Sequence, residues 1–97
     1  MTATPAPVTL SSHVRRSDAV IMQEMDHEAV LLDMASERYF GLDAAGTRIW
    51  RLLADTPSLA QVHATLCGEY DAAPERIGDD LLALVKALLD AGLVHPG

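Results

Sequence analysis

The sequence predicts a single α+β domain, in which a three-stranded antiparallel sheet is followed by three helices. Its 97 residues match the length of one domain, and hydrophobic residues make up 49% and charged residues 22%, which is typical of a folded chain. After residue 42 the spacing of apolar residues changes from the period of a strand to that of a helix. The connections between the strand segments are too short for parallel crossovers, so the sheet should be antiparallel.

Three apolar segments predict the strands, namely Ala19–Met25, Glu28–Met34 and Arg38–Leu42. The turn-prone pair Asp26–His27 indicates a tight hairpin between the first two. The continuous apolar run Val30–Leu32 favours a strand that is covered on both faces.

Capping signals predict the helices. Asp43 is a good N-cap for a helix that ends at Ala54, and Ser58 begins a second helix with the spacing of a capping box. Pro74 suits the first position of a third helix, and Gly92 suits its end. Two short helices followed by a longer one resemble a winged helix-turn-helix in which the wing comes first.

The predicted domain spans residues 18–95, and residues 1–17 are expected to form a flexible N-terminal tail. The first residues lack the basic flank and apolar segment of a signal peptide. No stretch approaches the roughly 20 apolar residues that span a bilayer. Cys67 is the single cysteine, which suits a reducing compartment. We therefore expect a cytoplasmic protein.

The charge balance disfavours nucleic acid and anionic membranes as partners. Fourteen acidic residues outweigh seven lysines and arginines, for a net charge of -7. Binding to phosphates requires clustered cations, and the predicted third helix carries only Arg76 and Lys86. A winged-helix DNA-binding regulator stays as the less favoured alternative.

Candidate catalytic groups are few. His63 and Cys67 have the i, i+4 spacing of helical neighbours, but a structural zinc site normally has four ligands. Asp79 and Asp80 fall on a predicted exposed helix flank, where solvated charge is the simpler interpretation. We expect no enzymatic activity, no cofactor and no metal.

The third predicted strand, Arg38–Leu42, is the most informative segment. If the strands follow chain order it lies at a sheet edge, where unpaired backbone groups can accept an added peptide strand. Gly41 would let another backbone approach closely. In the alternative interpretation the third helix packs over this edge, and Tyr39 and Phe40 are core residues.

Several segments in register resemble the PqqD family, the small recognition elements that bind leader peptides of ribosomally synthesised and post-translationally modified peptides (RiPPs). The resemblance covers residues 18–94, and its segments are Val30–Met34, Glu37–Asp43, Gly46–Leu53, Ser58–Val62 and Asp80–Leu93. It implies a winged helix-turn-helix fold that binds peptide between the third strand and the third helix. The site residues that it implies are Arg38, Tyr39, Phe40, Gly41, Leu42, Asp80, Ala83, Leu84 and Ala87.

Within that family, the Tyr39–Asp43 segment resembles the stand-alone recognition proteins of lasso peptide biosynthesis. The resemblance implies two enzyme partners besides the precursor peptide: a cysteine protease that removes the leader, and an asparagine synthetase-like cyclase. The alternative within the family is a pyrroloquinoline quinone-type chaperone, which presents its precursor to a radical SAM enzyme.

Overall fold

A computed structural model describes residues 8–97 of the chain. The architecture is α+β, as predicted, and the comparison with a winged helix-turn-helix describes it loosely. The elements in chain order are β1 (Val14–Arg16), β2 (Val20–Met25), β3 (Glu28–Asp33), β4 (Arg38–Leu42), α1 (Ala44–Asp55), α2 (Leu59–Glu69), α3 (Pro74–Asp90) and β5 (Val94–Pro96).

The main sheet is antiparallel, with the strand order β2–β3–β4. Its two hairpin turns each contain a residue in the left-handed region, Asp26 with φ 59° and Glu37 with φ 59°. The predicted strands are confirmed to within one residue at their ends.

The three helices begin where the capping signals predict. The Asp43 side chain accepts a hydrogen bond from the Gly46 N–H, and the Ser58 side chain accepts one from the Gln61 N–H. Pro74 occupies the first turn of α3, and Gly92 follows the helix with φ 75°, a conformation that glycine adopts without strain.

The core lies between one face of the sheet and the helices. Trp50 on α1, Leu31 on β3 and Leu81 on α3 are completely buried. Helix α1 packs against β1, β3 and β4, whereas α3 packs against α2 and β5. None of the helices among residues 8–97 is both long enough and apolar enough to cross a bilayer.

A second, two-stranded sheet joins the two ends of the described chain. Strand β1 pairs with β5 in an antiparallel register that places Val14 opposite Pro96. Val14 is only 1% exposed, so this strand and its core contact extend the folded unit into the stretch that the sequence assigns to the tail. The sequence around β1 does not predict a strand, because the segment is short and charged. Its pairing partner, β5, lies far away in the chain. Residues 1–7 of the predicted tail lie outside the described residues.

One expectation about the main sheet is wrong. The apolar run Val30–Leu32 predicts cover on both faces, but nothing among residues 8–97 packs over the face opposite the core. Ile21 on that face is 55% exposed and Tyr39 is 73% exposed. Only Leu31 within the run is completely buried, while Val30 and Leu32 are half-buried.

Candidate functional site

Strand β4 is a free edge of the main sheet. It pairs with β3 on one side, and within the described part of the chain no strand pairs with its other side. Helix α3 makes its main contacts with α2 and β5, and Tyr39 and Gly41 are exposed. The alternative interpretation is therefore wrong for Tyr39, which is exposed, whereas Phe40 is half-buried and packs against the core as that interpretation expects.

The direction of the backbone groups along β4 follows from the hairpin geometry. The two-residue turn makes Met25 and Glu28 a hydrogen-bonded pair, and such pairs alternate along an antiparallel ladder. The Met34 N–H bonds the Ala19 carbonyl at 2.8 Å, which agrees with this alternation. On β3, Ala29, Leu31 and Asp33 then direct their backbone groups toward β4.

The partners of these groups on β4 are the residues in register with them, namely Arg38, Phe40 and Leu42. Tyr39 and Gly41 lie between these positions, so their N–H and C=O groups point to the free edge. These two residues supply the unpaired donors and acceptors to which an incoming strand can bond.

One apolar side chain on β4 and one on α3 are only partly covered by the core. Phe40 on β4 and Leu84 on α3 are half-buried and pack against the core while keeping part of their surface accessible. Leu42 is only 4% exposed, so its side chain is a core residue and its surface is closed to a ligand.

The other α3 residues implied by the resemblance differ in exposure. Ala87 is half-buried, and Asp80 and Ala83 are exposed. Asp80, Leu84 and Ala87 are spaced by four and three residues, which places them on one helix stripe. The structure thus combines an open strand edge, a stripe of α3 with a carboxylate near its N-terminal end, and half-buried Phe40 and Leu84.

The turn before β4 is held by Asp33. Its side chain accepts hydrogen bonds from the Ser36 hydroxyl at 2.8 Å and from the Ala35 N–H at 3.0 Å. These bonds favour the ionised carboxylate, and the hydroxyl of Ser36 is the main reason that the pKa of Asp33 is lowered. The charged form of Asp33 therefore fixes the point at which β4 begins.

The end of β4 is held by the start of α1. The Asp43 Oδ1 atom accepts from the Gly46 N–H at 2.7 Å, and the Thr47 hydroxyl donates to the Asp43 carbonyl at 2.8 Å. A Cβ atom on Gly46 would lie 3.2 Å from both this carboxylate and a Leu42 methyl group, so glycine fits the tight junction best. The edge strand is consequently anchored at both ends.

The remaining chemical candidates do not form a catalytic site. The His63 Nε2 atom lies 2.8 Å from the Pro74 carbonyl and 3.5 Å from the Cys67 sulfur, so it joins α2 to the start of α3. The described residues contain no group of three possible metal ligands. Asp79 and Asp80 are exposed, in agreement with a solvated helix flank.

Two cavities of about 650 and 260 Å³ lie away from β4 and α3. The larger is lined mainly by β1 and the end of α1, and none of the nine implied site residues lines either cavity. An added strand requires an open edge rather than an enclosed cavity, so the peptide-binding interpretation does not depend on them.

An open sheet edge is a feature that a peptide-binding protein can use for strand addition. The family model described as coenzyme PQQ synthesis protein D (PqqD) matches residues 28–94, which is more than half of the chain. The chain belongs to the PqqD family and is a RiPP recognition element, a non-catalytic class.

Two solved structures are similar over most of the chain. One, TbiB1 in complex with the TbiA(beta) leader peptide, has a TM-score of 0.78 and 36% sequence identity, covering 84% of this chain and 94% of its own. The other, a lasso peptide synthetase B1 complexed with the leader peptide, has a TM-score of 0.76 and 29% identity, covering 88% of this chain and 100% of its own. No curated protein matches the sequence significantly.

Proposed function

We propose that this protein binds the leader segment of a ribosomally made precursor peptide as an additional antiparallel strand on β4. The observation that supports this proposal is the edge of β4, at which no strand among residues 8–97 pairs with the backbone groups of Tyr39 and Gly41. Both similar structures are complexes with a leader peptide, which supports a peptide ligand for this chain as well.

The groove between β4 and α3 would provide the remaining contacts. Backbone hydrogen bonds give affinity in strand addition, while side-chain pockets give specificity. Phe40 and Leu84 would contact apolar leader side chains, and Ala87 leaves room beside them. Asp80 is exposed on the same stripe and would favour a leader with a basic group nearby. Arg38 and Ala83 complete the exposed border of the groove.

We further propose that the protein presents the bound precursor to the two enzymes of a lasso peptide pathway, a leader peptidase and an asparagine synthetase-like cyclase. The likeness to a lasso peptide synthetase B1 supports this pathway. A short flexible tether between bound leader and reacting core can raise the effective substrate concentration to the millimolar range. The protein would accelerate processing without a catalytic group of its own.

The test of binding is fluorescence polarisation with a labelled leader peptide from the neighbouring precursor gene. We expect saturable binding that an unlabelled leader displaces and that a scrambled leader of the same composition does not displace. An absence of saturable binding at tens of micromolar would contradict the proposal.

A second candidate function rests on the description of the family model, which names coenzyme PQQ synthesis. In that case the protein would present its precursor to a radical SAM enzyme through the same edge. A reconstitution with each set of enzymes distinguishes the two functions. The precursor should be converted either by the peptidase and cyclase or by the radical SAM enzyme, and not by both.

A further inference from the structure

The face of the main sheet opposite the core is almost uncharged. Alternation along β2, β3 and β4 directs eight side-chain positions to this outer face. They are Ile21, Gln23, Met25, Glu28, Val30, Leu32, Tyr39 and Gly41, and Glu28 is the only charged residue among them.

An apolar row crosses the outer face from one edge strand to the other. Ile21 is in register with Leu32, and Leu32 is in register with Tyr39, so the three side chains are cross-strand neighbours. Ile21 is 55% exposed and Tyr39 is 73% exposed. Neighbouring exposed apolar side chains of this kind are a feature of many protein interaction surfaces.

We propose that the outer face docks the leader peptidase that cleaves the bound precursor, and this inference rests on the proposed leader binding. The apolar row ends at Tyr39, whose backbone groups point to the edge at which the leader would add. A leader strand in that place continues the sheet, and its outward side chains continue the row. An enzyme seated there touches the recognition protein and the leader together, so it prefers the loaded complex.

The charge of the protein indicates which partner fits this face, a second copy of the chain or a different protein. The net charge of -7 opposes close approach of two copies of the chain. Acidic residues stand at both ends of the sheet: Asp26 and Glu28 at one hairpin end, and Glu37 at the other. The partner that fits is therefore a protein surface with an apolar centre and a basic border.

The experiment compares two variants that add the same charge. Ile21→Lys places a cation in the apolar row, two strands away from the leader edge, whereas Ala64→Lys places it on an exposed position of α2. The affinity for the labelled leader is measured by polarisation, and the affinity of the loaded complex for the purified leader peptidase by biolayer interferometry. We expect Ile21→Lys to weaken peptidase binding by about tenfold or more, and Ala64→Lys to leave it unchanged.

Leader binding also serves as the check that each variant is folded. Equal leader affinity in the native protein and both variants, with weaker peptidase binding for Ile21→Lys alone, supports the inference. Equal peptidase binding in all three proteins would overturn it, as would a native dimer that Ile21→Lys converts to a monomer. Loss of leader affinity in folded Ile21→Lys would also overturn it, because the face would then belong to the leader site. Absence of leader binding by the native protein would instead contradict the proposed function.

Discussion

The Arg16 guanidinium lies over the Trp50 ring, 4.6 Å from the ring centroid, and its Nη1 donates to the Trp50 carbonyl at 3.4 Å. This contact joins β1 to α1 across the base of the domain. Trp50 is completely buried, and its Nε1 atom has no hydrogen-bond partner among the described residues. The guanidinium contacts with the ring and the carbonyl therefore help to hold β1 against α1.

We expect Arg16→Ala to lower the free energy of unfolding by about 1 kcal/mol, because it removes a cation–π contact and a hydrogen bond. Urea unfolding followed by Trp50 fluorescence measures the change. Arg15→Ala is the matched control, since Arg15 is exposed and its neighbour carries the ring contact. Equal destabilisation by both variants would contradict the role given to the Arg16–Trp50 contact.

Gly41→Pro tests the direction of the β4 backbone. Proline removes the N–H that we assign to the free edge, so leader affinity should fall about tenfold while circular dichroism shows the native fold. Gly41→Ala keeps this N–H, and its Cβ would meet no atom within 4 Å, so it should bind like the native protein. Unfolding of Gly41→Pro would show instead that the N–H bonds β3.

Leu84→Asp tests the helix side of the groove. Leu84 and Leu82 are both half-buried and packed against the core, but they lie on different sides of α3. Both aspartate variants should lose stability, because each places a charge against apolar neighbours. Polarisation should show at least tenfold weaker leader binding for Leu84→Asp alone. Similar affinities for the two folded variants would exclude Leu84 from the leader site.

The lowered pKa of the Asp33 carboxyl group makes the stability of the fold depend on pH. Its pKa is lowered in the folded chain, mainly by the Ser36 hydroxyl, so its contribution is present above the ordinary value of about 4 and is lost as the pH falls through the lowered pKa. Asp33→Asn should therefore lower the melting temperature at neutral pH more than in acid below that value. A difference that does not change with pH would contradict this assignment.

The main sheet and the helices were predictable because their signals are local. Asp43, Ser58 and Pro74 begin helices through contacts or backbone geometry within one turn, and all three do so in the structure. Strand β1 was not predicted, because its partner β5 lies at the opposite end of the chain. Pairing over such a distance leaves no periodic pattern in either short segment.

The candidate site was only partly predictable. The edge position of β4 follows from strand order, and the structure confirms that order. The roles of adjacent residues could be assigned only from the register of the β3–β4 ladder. Leu42 is buried as a core residue, whereas the backbone of Gly41 faces the edge. The exposure of the outer face could not be predicted from Val30–Leu32. An apolar run does not show whether anything packs over the face of the sheet opposite the core.

The outward backbone of Tyr39 and Gly41 has a consequence for the design of orthogonal leader–protein pairs. Main-chain atoms do not distinguish one leader side chain from another, so under the proposed binding mode the edge itself would tolerate leaders of different sequence. Libraries designed on this proposal to redirect the protein to a foreign leader would therefore vary Phe40, Leu84 and Asp80. Under the same proposal, a core peptide could be exchanged behind a constant leader without redesign of the recognition protein.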